Sequence, residues 1–259
     1  MKKIGRLAAM LVTYLVLQVY AVVAVIQGLF FFRGEKTPFS HAYVNGVMRL
    51  LFNTKVSLLN PAMKQTIQSE SRCVLLSNHR SMADFVVCHY TTSPDRISYI
   101  GRLSVFFALP VAFTLFYLLE RNFVLFNRAK KNRIHMRKKL FEKMQSLLSR
   151  DLFVLVFPEG HRNTKQKTLP LKRGVINWAY DHGYTCALVL HVGNERMFDE
   201  KKMTMRRGVE ILCLHKGLYR PSEYETRQDF FTAIEKDFQQ GYLELETNHY
   251  LKGAQNEKN

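Results

Sequence analysis

Between residues 7 and 32 the chain carries no charged side chain, and in LAAMLVTYLVLQVYAVVAVIQGLFFF only Gln18 and Gln27 are strongly polar. Roughly 20 apolar residues cross a bilayer at a rise of about 1.5 Å per residue. Such a stretch must be covered by lipid or by a protein core. A cleaved signal peptide would have a shorter apolar region ending in small residues, whereas this one ends in Leu29-Phe30-Phe31-Phe32-Arg33. The segment is therefore expected to remain in the mature protein as a membrane helix or a helical hairpin. Lys2, Lys3 and Arg6 precede it and Arg33, Lys36 and Arg49 follow; that balance leaves its orientation open. A second apolar stretch, 105–119, is short for a span and is interrupted by Pro110. It is expected to pack in the core or to dip into a membrane surface.

Beyond the anchor the pattern changes. Short apolar runs at 73–76, 97–100, 123–126, 152–157, 185–190 and 209–214 read as strands. Between them, Leu140, Phe141, Met144, Leu147 and Leu148 recur at helical spacing within 134–148, and Phe230, Phe231, Ile234 and Phe238 repeat the pattern. Alternating strands and helices predict an α/β domain with a mostly parallel central sheet. The organisation expected is an anchoring region over 1–64, one folded domain over 65–252 and a polar tail over 253–259. In sheets of this kind, chemistry is sought where strands give way to helices.

The chain of 259 residues has a formal net charge of +17, which implies attraction to a polyanionic surface: nucleic acid, anionic lipid or phosphate-bearing substrate. Cys73, Cys88, Cys186 and Cys213 form no CxxC pair and sit in apolar runs. They read as buried thiols of a reducing compartment rather than disulfides or metal ligands.

Three places carry candidate chemistry. The first, Ser77-Asn78-His79-Arg80-Ser81-Met82-Ala83-Asp84, directly follows an apolar run. Ser77 or Asn78 can cap a following helix, which would set His79 at a helix N-terminus favouring a neutral, proton-accepting imidazole. Asp84 lies five residues on, too far for a pair on a straight helix, so the two meet only if His79 stands on the turn before it. A histidine that merely closes the turn is the competing reading. The second place is Phe157-Pro158-Glu159-Gly160-His161-Arg162 at the end of a buried run, where a carboxylate and a phosphate-matching guanidinium project together, or where a solvated turn simply carries both. The third is Leu169-Pro170-Leu171-Lys172-Arg173-Gly174, which opens a helix over 175–180 and reads equally as an anion site or an ordinary basic first turn.

In combination the three are more specific. NHRSMAD fits the pattern NHxxxxD, FPEGHR followed by LPLKRG resembles FPEGTR with its lysine-glycine continuation, and NFVLFNR at 122–128 is similar to a GxxFIxR block. Over roughly 70–195 the chain thus resembles the glycerolipid acyltransferases, the lysophosphatidic acid acyltransferase family. That resemblance implies a single acyltransferase-type α/β domain, with His79 as general base and Asp84 as its orienting partner. It implies further that Arg128 and Arg162 bind an acceptor phosphate, that Glu159 and Gly160 shape the acceptor pocket, and that Lys172 is a further phosphate ligand. The expected reaction moves a fatty acyl group from acyl-CoA or acyl-carrier protein to the free hydroxyl of lysophosphatidic acid, with no metal and no other cofactor. The expected partners are membrane lipid, a lysophospholipid acceptor and an acyl thioester donor, with no nucleic acid. The expected site is a bacterial inner membrane or an endoplasmic reticulum, the catalytic domain facing the cytoplasm. Three positions depart from the pattern: His161 stands for the usual Thr, Asn122 for Gly, and the block Ala187-Leu188-Val189-Leu190-His191-Val192 lacks its proline.

Rival readings are a lipase or esterase, a noncatalytic lipid-binding protein and a nucleic-acid binder. No GxSxG nucleophile elbow occurs in the chain. The basic run 128–139 is unaccompanied by any nucleic-acid-binding signature, and reads as a helix face turned to anionic headgroups.

Overall fold

Aliphatic runs that are apolar at every position, not at alternate ones, need cover on both faces, and the computed structural model provides it. It describes residues 2–93, 95–102, 107, 109–126, 133–163, 168–199 and 204–256. The strands are β1 (Lys55–Leu58), β2 (Val74–Ser77), β3 (Ile97–Arg102), β4 (Phe123–Phe126), β5 (Phe153–Val156), β6 (Cys186–Val192), β7 (Phe198–Asp199), β8 (Thr204–Met205) and β9 (Glu210–Tyr219). Seven of them form one sheet in the order β1-β9-β6-β2-β5-β3-β4. The block β6-β2-β5-β3-β4 is parallel throughout, with Leu75 opposite Leu155 on one side and Ala187 on the other. β9 runs antiparallel to β6, and β1 lies parallel to β9 at the edge. Each of the six expected strands is present. β1 falls inside the 1–64 stretch yet belongs to the central sheet.

The helices are α1 (Lys2–Phe31), α2 (Pro38–Gly46), α3 (Pro61–Ser69), α4 (Asp84–Thr91), α5 (Pro110–Leu115), α6 (Arg133–Ser149), α7 (Arg173–Asp181) and α8 (Arg227–Asn256). Residues alternate between faces along each strand. Leu75, Phe153 and Val189 pack with Val44, Val87 and Phe113 on one side of the sheet. Leu76, Val154 and Leu190 pack on the other with Leu147, Trp178 and Phe238. The helical face read from the sequence near the end is thus the buried face of α8, and all four cysteines are free and buried.

α1 is one unbroken helix, and its stretch Ala8–Phe31 is 24 residues long and apolar, enough by length to cross a bilayer. Leu15, Val19, Ile26 and Phe30 project from it exposed. Its two glutamines face inward. Gln18 accepts a hydrogen bond from the Val111 amide at 3.0 Å, and Gln27 accepts one from the Tyr20 hydroxyl at 2.8 Å. Pro110 begins α5 rather than breaking a helix, as a residue with no amide hydrogen suits the first turn. Of the apolar stretch around it, Phe113 and Phe116 enter the core while Tyr117, Leu118 and Leu119 stay exposed.

Glu120 ties this layer to the sheet. Its buried carboxylate accepts hydrogen bonds from the amides of Phe39 and Ser40 at the start of α2, at 2.6 and 3.0 Å, and from the Ser40 hydroxyl at 2.6 Å. Asn122 donates to it at 2.8 Å, which gives the asparagine at the expected glycine position a structural task. Burial pushes the Glu120 carboxyl up to about 7 against the opposing pull of these donors.

Candidate active site

The carboxyl ends of β6, β2, β5 and β3 lie side by side, and the chemistry-bearing residues leave from them. After β2 the chain does not enter a helix at once. Residues 78–83 form a connection, and α4 begins at Asp84 with Ala83 in the capping position and no side-chain cap. The expected capping by Ser77 or Asn78 is therefore not found. Asn78 instead clasps the backbone of β6, donating to the His191 carbonyl at 2.8 Å and accepting from its amide at 2.9 Å. Ser77 Oγ lies 3.2 Å from His191 Nδ1.

Because His79 stands on that connection, the five-residue gap closes: His79 Nδ1 lies 2.6 Å from Asp84 Oδ2. Asp84 is fully buried and His79 is 24% exposed. The same oxygen accepts the amides of Arg80 at 2.5 Å and Ser81 at 3.0 Å. Oδ1 accepts from the Ser81 amide at 3.0 Å, the Ser81 hydroxyl at 3.1 Å and the Asn194 side-chain amide. A carboxylate is acceptor-only, so Nδ1 of His79 carries the proton and Nε2 holds the lone pair. Burial alone would raise the Asp84 carboxyl, but the adjacent His191 and His79 imidazoles hold it well below the usual carboxylate range.

β5 supplies the other half. Phe157 stacks on the His79 ring with centroids 4.3 Å apart. Glu159 Oε1 accepts the His79 amide at 2.8 Å, and the Asn163 amide donates to the His79 carbonyl at 2.5 Å, so the two motifs are clamped together. Burial raises the Glu159 carboxyl. Gly160 has φ +75°, and a Cβ there would lie 2.7 Å from Lys172 Cε. Lys172 precedes α7, is fixed by its amide to the Pro158 carbonyl at 2.9 Å, and lays its side chain over the Pro-Glu-Gly turn. Its neighbour Arg173 turns away, donating to Gln228 at 2.7 Å and covering the Phe231 ring. Arg162 is exposed beside the same turn. Arg128 lies outside the described residues.

The structure adds residues that local sequence reading did not single out for a site. Arg102, the last residue of β3, donates to the Gly160 carbonyl at 3.4 Å and brings another cation to the turn. Asn194 follows Gly193, whose φ of +98° and 2.4 Å clearance between a notional Cβ and the Glu210 carbonyl require glycine. Arg80, inside the first motif, is 10% exposed and is held by Glu246 of α8, by Glu195 at 3.6 Å and by the Tyr242 ring. The signal for Arg102 was a basic residue ending an apolar run. For Asn194 and Glu246, over a hundred residues from Asp84 and Arg80, spacing held no signal.

Chemically the arrangement presents an oriented imidazole lone pair next to a turn ringed by Arg102, Lys172 and Arg162. Comparison with known proteins bears on what such a site does. No curated protein matches the chain in sequence. Among solved structures, the 1-acyl-sn-glycerophosphate (LPA) acyltransferase PlsC from Thermotoga maritima superposes with a TM-score of 0.70 at 16% identity, covering 95% of this chain and 98% of that one, a likeness of fold. A model of the acyltransferase family matches residues 60–190, half the chain, including the His79–Asp84 motif, the 157–162 turn and the 169–174 segment. The chain therefore belongs to the acyltransferase family.

Proposed function

We propose that the chain transfers a fatty acyl group from an acyl thioester, acyl-CoA or acyl-carrier protein, to the free hydroxyl of lysophosphatidic acid, forming phosphatidic acid at a membrane surface. The observation that carries this reading is His79 Nδ1 held at 2.6 Å by a buried Asp84, on the same sheet edge as the Gly160 turn with Arg102 and Lys172 against it. The acceptor's phosphate lies among Arg102, Arg162 and Lys172; Arg128, outside the described residues, is a further proposed ligand. Guanidinium groups match phosphate geometry. Its hydroxyl then faces His79, whose Nε2 takes the proton as the oxygen attacks the thioester carbonyl carbon. The tetrahedral intermediate collapses with cleavage of the C–S bond, and the departing sulfur recovers the proton from His79. The acceptor oxygen is itself the nucleophile, so no acyl-enzyme forms. A base so placed supplies on the order of 10²–10⁴-fold in rate, the remainder coming from holding two large substrates in register.

Glu159 acts by fixing the His79 backbone, and Gly160 by leaving room for the Lys172 stem. α1 anchors the protein in a bacterial inner membrane or an endoplasmic reticulum with the catalytic edge toward the cytoplasm, and the exposed Tyr117, Leu118 and Leu119 extend the apolar surface. Lys138 and Lys139, exposed on α6, meet anionic headgroups.

The test is thiol release from oleoyl-CoA by detergent-purified protein, with and without lysophosphatidate, for wild type and His79→Ala. Release that depends on lysophosphatidate and disappears in the variant is expected. Release that is insensitive to lysophosphatidate, or to loss of His79, overturns the reading.

A further inference from the structure

Asp84 faces two imidazoles. Besides His79, the Nε2 of His191 lies 3.4 Å from Asp84 Oδ1, with both side chains essentially sealed from solvent. His191 is brought there by β6, whose carboxyl end lies beside that of β2, and its backbone is locked by the hydrogen bonds that its carbonyl accepts from the Asn78 side chain and its amide donates to it. Its other nitrogen, Nδ1, is 3.2 Å from Ser77 Oγ and 3.7 Å from Cys88 Sγ. No acceptor of good hydrogen-bond geometry meets Nε2, so the contact with Asp84 is one of charge.

We propose that His191 is a positioning residue for the acyl-transfer base: as a buried imidazolium it shares the charge of Asp84, so that Asp84 orients His79 without trapping it in the protonated form. The inference rests on the assignment of His79 as base. A lone buried carboxylate 2.6 Å from an imidazole favours the imidazolium, which has no lone pair to offer a hydroxyl. A positive charge on the far oxygen reduces that pull while leaving the geometry intact. It also lowers the cost of burying Asp84, since a buried charge is tolerated when paired and hydrogen-bonded.

The surroundings support a charge on His191 and none on His215. Burial alone would depress the imidazole, but Cys88 and Asp84 push it up to about 10. The titratable groups toward this face are Cys88 on α4, Cys213 opposite on β9, and His79 beyond Asp84. His215, two residues from Cys213, is pushed down to about 4 by burial and by Lys64, and stays neutral. Asp84 is the one carboxylate within 4 Å of His191 among the described residues.

The experiment measures kcat/KM against pH for wild type, His191→Gln and His191→Leu, with thermal melts to confirm folding. Gln keeps a nitrogen near the place of Nε2 without a charge, and Leu removes the polar group. The acid limb is expected to move up by about one pH unit in both variants, the effect of losing one nearby positive charge. Activity below the limb then falls about tenfold and converges with wild type above it. Should Leu fail to fold, Gln alone carries the test. A limb unmoved in a folded variant, with activity lowered equally at every pH or not at all, overturns the inference while leaving the acyl-transfer reading in place. That reading fails separately if wild type does not need His79.

Discussion

Consider Asp84→Asn. The amide must present oxygen to one set of donors and nitrogen to the other, and the two sets differ in kind. Around Oδ2 two of the three donors are backbone amides, of Arg80 and Ser81, which cannot reverse. Around Oδ1 the Ser81 amide, shared equally with Oδ2, is the one donor among the described residues that cannot reverse, and the other partners can. The Asn194 Oδ1 atom is buried without a hydrogen bond, so that amide can turn over and accept, and the Ser81 hydroxyl rotates. His191 can transfer its remaining proton to the nitrogen facing Ser77. The side-chain oxygen of the variant therefore stays toward His79, and His79 keeps its proton on Nδ1. What is lost is one charge-assisted hydrogen bond, worth about 1.5–3 kcal/mol. At about 1.4 kcal/mol per tenfold, kcat falls by about 10- to 10²-fold. The change is conservative in volume, and the melting temperature moves by less than roughly 8 °C, corresponding to about 2 kcal/mol. Thiol release from oleoyl-CoA under saturating lysophosphatidate, paired with a thermal melt, reads both quantities. A loss near 10⁴-fold in a folded variant, the scale of a wrong-tautomer histidine in the serine-protease case, would refute the argument that the Oδ1 side alone inverts.

Glu120 makes stability depend on pH. Its folded carboxyl is raised to about 7, above its unfolded range, so the folded state binds the extra proton and stability falls as pH rises from about 4.5 to 7. Thermal melts between pH 5 and 8 should show that decline for wild type and a flatter profile for Glu120→Gln; equal slopes would remove Glu120 as the cause. Gly160→Ala strains a backbone at φ +75° and drives a methyl group into the Lys172 stem, so KM for lysophosphatidate should rise by about tenfold or more while the fold survives. Unchanged steady-state kinetics would show that Lys172 does not need that turn.

How far the sequence foretold this depended on how local each signal was. β2, β4 and β5 lie in unbroken apolar runs, and such runs fit only a sheet covered on both sides. β1 escaped notice because Lys55-Val56-Ser57-Leu58 at a sheet edge is only half apolar, and the reversal of β9 leaves no mark in its composition. Ser77 and Asn78 look like helix caps because their side chains suit that task, yet a neighbouring strand supplied better partners. The His79–Asp84 meeting was legible as a condition on the turn, and the turn satisfies it. His191 was legible only as a missing proline, since its approach to Asp84 is made by strand pairing between segments about a hundred residues apart.

The lock on Arg80 has a consequence in the order of synthesis. α1 and the strand before the His79 loop are made well before α8. The loop carrying His79 follows early, but the guanidinium next to it stays without its principal counter-ion until Glu246 emerges. A premature stop upstream of residue 246 therefore yields a product that carries the whole His79 loop with its neighbouring guanidinium left unbraced.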